Sequence, residues 1–176
     1  IDADVAHLAR LGVDAYRIHM WDREISDRQG NLRENDHLDL MEYLVARLLE
    51  RDIRVILTPI FHGGPGYPER NPVTEGFSED YSKGEMTVNP EARRVQRNYF
   101  MQLVRHVNPY TGLPLAHDPV LAMVEVVNEN SLYFIWRTNN LRPQAEGGQL
   151  TAYHSRMLDD RWHDYLRERY ASTDAL

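Results

Sequence analysis

The chain has 176 residues with 27 acidic and 20 basic side chains, a formal charge of −7. That length holds one domain with a sizeable core. The scattered Lys and Arg leave no basic stripe for nucleic acid, the lack of cysteine excludes disulfides and thiolate metal sites, and no apolar run reaches the roughly 20 residues that cross a bilayer.

The sequence opens in what reads as a helix over residues 2–11, with Val5, Leu8 and Ala9 on one face and Gly12 as its stop. It has neither a starting Met nor a signal peptide, so a processed or excised segment is expected. Val13–Ile18 reads as a strand that ends in Arg17, His19, Trp21 and Asp22. A polar stretch through Gly30 leads to Asp36, a helix cap, followed by a stripe of Leu38, Met41, Leu44, Val45, Leu48 and Leu49. Ile53–Phe61 is the next strand, and Pro59 marks its end because proline removes a ladder donor.

From His62 to Val88 no periodic pattern is visible, which predicts a long functional or disordered loop. Asn89-Pro90-Glu91 is a strong helix start, and Ala92, Val95, Tyr99, Leu103, Val104 and Val107 supply the apolar face. Asn108–Gly112 reads as a turn, and Asp118-Pro119 introduces the third strand, Ala122–Val127. An aromatic loop with Tyr133, Phe134 and Trp136 is expected next. A last helix runs from about Leu150 to Tyr170, with Tyr153, Met157, Leu158, Trp162 and Leu166 inward. Helices alternating with apolar strands predict an α/β fold with a parallel sheet.

The chemistry concentrates at the carboxyl ends of these strands, where α/β folds place their sites. Glu125, Val127 and Glu129 share one parity, so both carboxylates are expected on one side of the sheet. Glu129, at the strand end among aromatics that exclude water, can serve as a general acid; a salt-bridged strand-end Glu is the plain alternative. Asn128 beside it can hold a ligand hydroxyl or simply form a turn. Glu125 lies deeper and needs a cation. Arg17 on the neighbouring strand is the natural partner, and its planar fork suits carboxylates.

His19 and His62 each close a strand, and hydrogen bonding to a polar ligand suits them better than metal binding, since no HxH pair or helical HExxH is present. Trp21, Tyr67, Tyr133 and Trp136 follow strands and can stack on sugar rings or anchor loops. Gly63–Gly66 follows a strand without a GxGxxG or P-loop pattern, which makes phosphate binding there improbable.

Tyr16-Arg17-Ile18-His19, the long apolar strand ending near His62, and Glu125-Val-Val-Asn128-Glu129 together resemble the clan-A glycoside hydrolases, above all the cellulase-like members of glycoside hydrolase family 5. The stretch from Asn108 through Asp118-Pro119 to Glu129 is similar to bacterial enzymes of that group. The resemblance implies a (β/α)8 TIM barrel of which residues 1–176 supply strands two to four, lacking strand one and strands five to eight. It also implies a retaining glycosidase on β-linked glycans. Glu129 would be the acid/base, Asn128 the partner of the sugar 2-hydroxyl, Arg17 the support of the carboxylates, and His62 a substrate contact. His19 and Trp136 join the expected substrate-binding set. No cofactor and no metal are implied. The nucleophile is expected outside the segment, since neither Glu146 nor Glu168 can fill its place, and the rest of the barrel is expected to be needed for stability. A secreted or periplasmic location fits this resemblance, and composition does not decide it. Two other readings stay open: a metal-dependent barrel hydrolase or isomerase using His19, Asp22, His62 and Glu129, and a barrel that binds carbohydrate without catalysis.

Overall fold

A computed structural model describes residues 1–19, 21–59, 83–129, 131–170 and 172. The chain divides into two compact units, Ile1–Glu69 with Arg94–Glu129, and Arg70–Arg93 with Asn130–Leu176. Among the described residues no helix is long and apolar enough to cross a membrane.

The first unit is built on a parallel sheet in the order β1 (Ala15–His19), β2 (Arg54–Thr58), β3 (Leu121–Val124). Parallel neighbours need long crossovers, and these contain helices. Helix α1 (Asp2–Arg10) precedes the sheet and stops at Gly12, whose φ of +75° turns the next amide, that of Val13, back to the Leu8 carbonyl at 3.1 Å. A single-turn helix α2 (Asp22–Ile25) follows β1, and α3 (Asp36–Leu49) then packs against β2. The cap of α3 is Asn35 rather than Asp36: its side-chain oxygen accepts from the His37 and Leu38 amides at 3.1 and 3.0 Å.

The core follows the sequence pattern closely. Leu38, Met41, Leu44, Val45 and Leu48 of α3 are buried, as are Ile18 of β1 and Val55 and Leu57 of β2. Each such side chain contributes roughly 1.5–3 kcal/mol by leaving water. The long helix α5 (Pro90–Arg105) buries Val95, Tyr99, Leu103 and Val104, whereas Val107 lies beyond the helix and is exposed.

The connection after α2 is moored to α5. The Asp27 carboxylate accepts from the Gln29 and Asn31 amides, and the Asn98 amide donates to the Gln29 and Gly30 carbonyls at 3.2 and 3.1 Å. Gly30 has a φ of +73°, and a Cβ there would lie 2.4 Å from the Val95 carbonyl oxygen. Only glycine permits both that conformation and that approach. The Asn108–Gly112 turn forms as expected: Gly112 donates to the Asn108 carbonyl at 2.8 Å, and the Asn108 amide reaches the Glu42 carbonyl at 2.9 Å.

The second unit contains α4 (Lys83–Val88), the start of α5, α6 (Leu132–Arg137) and α7 (Ala152–Arg169). Residues 83–88 are therefore helical rather than part of a structureless loop. Residues 132–137 form a helix rather than an aromatic loop, since the Ser131 hydroxyl accepts from the Phe134 amide and caps it. The expected inward face of α7 also differs. Trp162 is exposed and stacks on Tyr165 with ring centroids 5.5 Å apart, while the fully buried residue of the helix is His154.

His154 joins α7 to α4 and α5. Its Nε2 lies 3.0 Å from the Asn89 Nδ2, its Nδ1 2.8 Å from the Thr151 hydroxyl and 3.5 Å from the Glu85 carboxylate. The Asn89 Oδ1 accepts from the Glu91 amide at 2.8 Å, capping α5. With that oxygen committed, the amide nitrogen faces His154 as donor, so Nε2 is the accepting ring nitrogen.

Candidate active site

The register of the sheet decides which side chains meet. Arg17 pairs with Ile56 and His19 with Thr58 across β1 and β2. Met123 pairs with Ile56 after an irregularity at Val55/Ile56, and the Glu125 amide donates to the Leu57 carbonyl at 2.8 Å, continuing the ladder one step past β3. Because successive side chains alternate in direction, Ile18 and Leu57 enter the core while Arg17, Thr58 and Glu125 share the opposite face.

These three converge. The Arg17 Nε donates to the Thr58 hydroxyl at 3.0 Å, and that hydroxyl donates to the Glu125 Oε2 at 2.7 Å. The Arg17 Nη2 pairs with the same carboxylate oxygen and also donates to the Asn128 Oδ1 at 2.9 Å. Arg17 is thus the partner of Glu125, as their strand positions suggest. The Thr58 hydroxyl first, then the Arg17 guanidinium and the His19 ring, hold the Glu125 carboxyl below its ordinary value, against a desolvation that pushes it up. Hydrogen bonds to a carboxylate favour its charged form. Glu125 is consequently an ionised carboxylate held by Thr58 and Arg17.

The alternation does not run on to Glu129. Regular strand ends at Val124, and Glu129 is exposed with a φ of +56°. The expectation that Glu125, Val127 and Glu129 line one side therefore fails: the backbone turns before Glu129. Asp52 and Asn139 also have positive φ, as short side chains that bond locally often do. A glutamate there is less common, and strained backbone of this kind costs on the order of 1 kcal/mol and gathers at functional sites.

His19 is half-buried, and its Nδ1 is buried without a hydrogen-bond partner among the described residues. Trp21 is half-buried and immediately precedes α2, and Asp22 is buried within that helix. Among the described residues no three His, Asp or Glu side chains are grouped to hold a metal ion. Trp136 stands in the second unit, exposed, its ring 5.8 Å from that of Tyr133. His62, Tyr67 and the Gly63–Gly66 cluster lie outside the described residues.

The structure thus joins Arg17, Glu125 and Asn128, and adds Thr58. In the sequence Thr58 reads as one more β-branched residue of a strand. Its parity with Ile56, two places along and on the Arg17 face, is the signal that could have marked it.

The chain matches no family model, no curated protein and no solved structure.

Proposed function

We propose that residues 1–176 belong to a (β/α)8-barrel glycosidase that cleaves β-linked glycans with retention of configuration. In this reading β1, β2 and β3 are barrel strands two to four, and Glu129 is the general acid/base. It protonates the glycosidic oxygen as the bond to the anomeric carbon breaks, then removes a proton from the water that releases the sugar. Asn128 binds the sugar hydroxyl beside the anomeric centre, and His19 and His62 contact substrate. The nucleophile must stand about 5 Å from the acid/base carboxyl. Glu125 does not fill that role, since it is committed to Arg17 and Thr58. The nucleophile comes instead from a part of the barrel outside these residues.

One observation supports this reading most. A guanidinium at the carboxyl end of a parallel sheet holds both a deep carboxylate and the amide of Asn128, and the next residue is an exposed glutamate in a left-handed conformation. That arrangement fixes the residue beside Glu129, and Glu129 itself stands exposed at the carboxyl end of the sheet, where a proton donor to a bound glycan is needed.

The test is Glu129→Gln in the full-length protein, assayed on aryl β-glycosides with poor and with activated leaving groups. Turnover of the poor leaving group is expected to fall by roughly 10²–10⁴, the range of general acid catalysis. The loss on an activated leaving group is expected to be much smaller in the glycosylation step. Unchanged turnover of the poor leaving group overturns the assignment.

A further inference from the structure

Arg17 and Glu125 meet at a hydroxyl that the proposed function does not use. Thr58 is 2% exposed, at the end of β2, and its Oγ1 sits between the Arg17 Nε and the Glu125 Oε2. The direction of each bond is fixed by chemistry. A guanidinium nitrogen can donate but not accept, and an ionised carboxylate can accept but not donate. The hydroxyl therefore receives from Arg17 with a lone pair and gives its one proton to Glu125.

We infer that Thr58 is a positioning residue: its hydroxyl, clamped between Arg17 and Glu125, fixes the guanidinium plane so that Nη2 can hold Asn128, the residue next to Glu129. The catalytic meaning of this role rests on the proposed glycosidase reading, while the clamp itself rests on the geometry. A guanidinium is planar and rigid, so anchoring Nε at 3.0 Å restricts where Nη2 can lie. Arg17 is 41% exposed along its side chain, and an exposed arginine held by one carboxylate alone keeps much of its freedom. Thr58 supplies the second anchor from the middle strand.

Two substitutions separate this role from simple packing. Thr58→Val keeps the shape and removes the hydroxyl, and Thr58→Ser keeps the hydroxyl and removes a methyl group. Two readouts are used on the full-length chain: the titration of the Glu125 carboxyl followed by its carboxyl carbon resonance, and kcat and KM on an aryl β-glycoside.

Thr58→Val is expected to move the Glu125 titration upward and to lower kcat roughly ten- to a hundredfold, the scale of a small misplacement at a reacting centre, with a smaller change in KM. Thr58→Ser is expected to restore both. A Glu125 titration that stays at its original value in Thr58→Val overturns the inference. So does a Thr58→Ser protein that behaves like Thr58→Val, because packing rather than the hydroxyl then matters. If the unsubstituted protein cleaves no β-glycoside, the proposed function fails by itself, and the titration alone decides whether Thr58 holds the cluster.

Discussion

The Arg17 Nη2 donates to the Asn128 Oδ1 at 2.9 Å, so the residue before Glu129 is held by the same cation that pairs with Glu125. This bond spans 111 positions of sequence and ties the end of β1 to the segment after β3. It gives the Glu125 carboxylate its consequence, because the charge of Glu125 holds Arg17, and Arg17 holds Asn128.

That chain of contacts predicts a pH dependence. The folded-state titration of Glu125 is depressed, chiefly by the Thr58 hydroxyl and then by Arg17. The unfolded state therefore binds the proton more readily. The stability that Glu125 contributes is present above the unfolded carboxyl value and is lost as pH falls through the folded one. Glu42 has the opposite sign. Burial raises its carboxyl against the opposing hydrogen bond from His106, so stability linked to Glu42 is greatest below the unfolded value and declines as pH rises through the folded one. Chemical denaturation between acid and neutral pH is expected to show a flatter acid limb for Glu125→Gln and a steeper one for Glu42→Gln. Changes of the same sign in both would contradict the assignment.

The mooring of the 27–31 loop makes Gly30 sensitive. Gly30→Ala places a methyl group against the Val95 carbonyl and puts alanine at a φ of +73°. Strain and overpacking together are expected to cost roughly 2–4 kcal/mol. Gly112, also at positive φ, has nothing within 4 Å of a Cβ, so Gly112→Ala carries the conformational cost alone and is expected to lose about 1 kcal/mol. Denaturant unfolding of the two variants measures the difference, and equal losses would show that the contact with Val95 is not felt.

Asn89 serves two elements with one amide. Asn89→Ala removes the cap of α5 and the amide that donates to the buried His154 Nε2. A lost cap costs about 1 kcal/mol and a lost hydrogen bond about 1 kcal/mol. A loss of roughly 2 kcal/mol or more is expected in denaturant unfolding. A loss near that of an isolated cap would mean that the amide–imidazole bond contributes little.

The middle strand was the most legible because β2 is a short Val, Ile and Leu run, and Pro59 closes it where a missing donor does no harm. The α3 and α5 stripes were legible because their apolar spacing is helical. The two missed helices hide for separate reasons. Lys83–Val88 contains Gly84, Thr87 and Val88, and Leu132–Arg137 is largely aromatic, so propensity speaks against both. Trp162 was misplaced because periodicity gives a face without saying what covers it, and the buried face of α7 is instead set by His154 and its polar partners. At the site, the Arg17–Glu125 pair follows from strand position and charge. Neither the Thr58 clamp nor the turn at Glu129 does, because the first depends on register and the second on a backbone angle.

The most direct measurement of the central claim is chemical rescue of Glu129→Ala in the full-length protein. An activated aryl β-glycoside still glycosylates the nucleophile without help from an acid, and the resulting intermediate then waits for a base to activate water. Azide needs no such base. The account predicts that added azide accelerates turnover and that the product is a glycosyl azide of retained configuration. No rescue, or an azide of inverted configuration, which would mark Glu129 as the nucleophile, contradicts it.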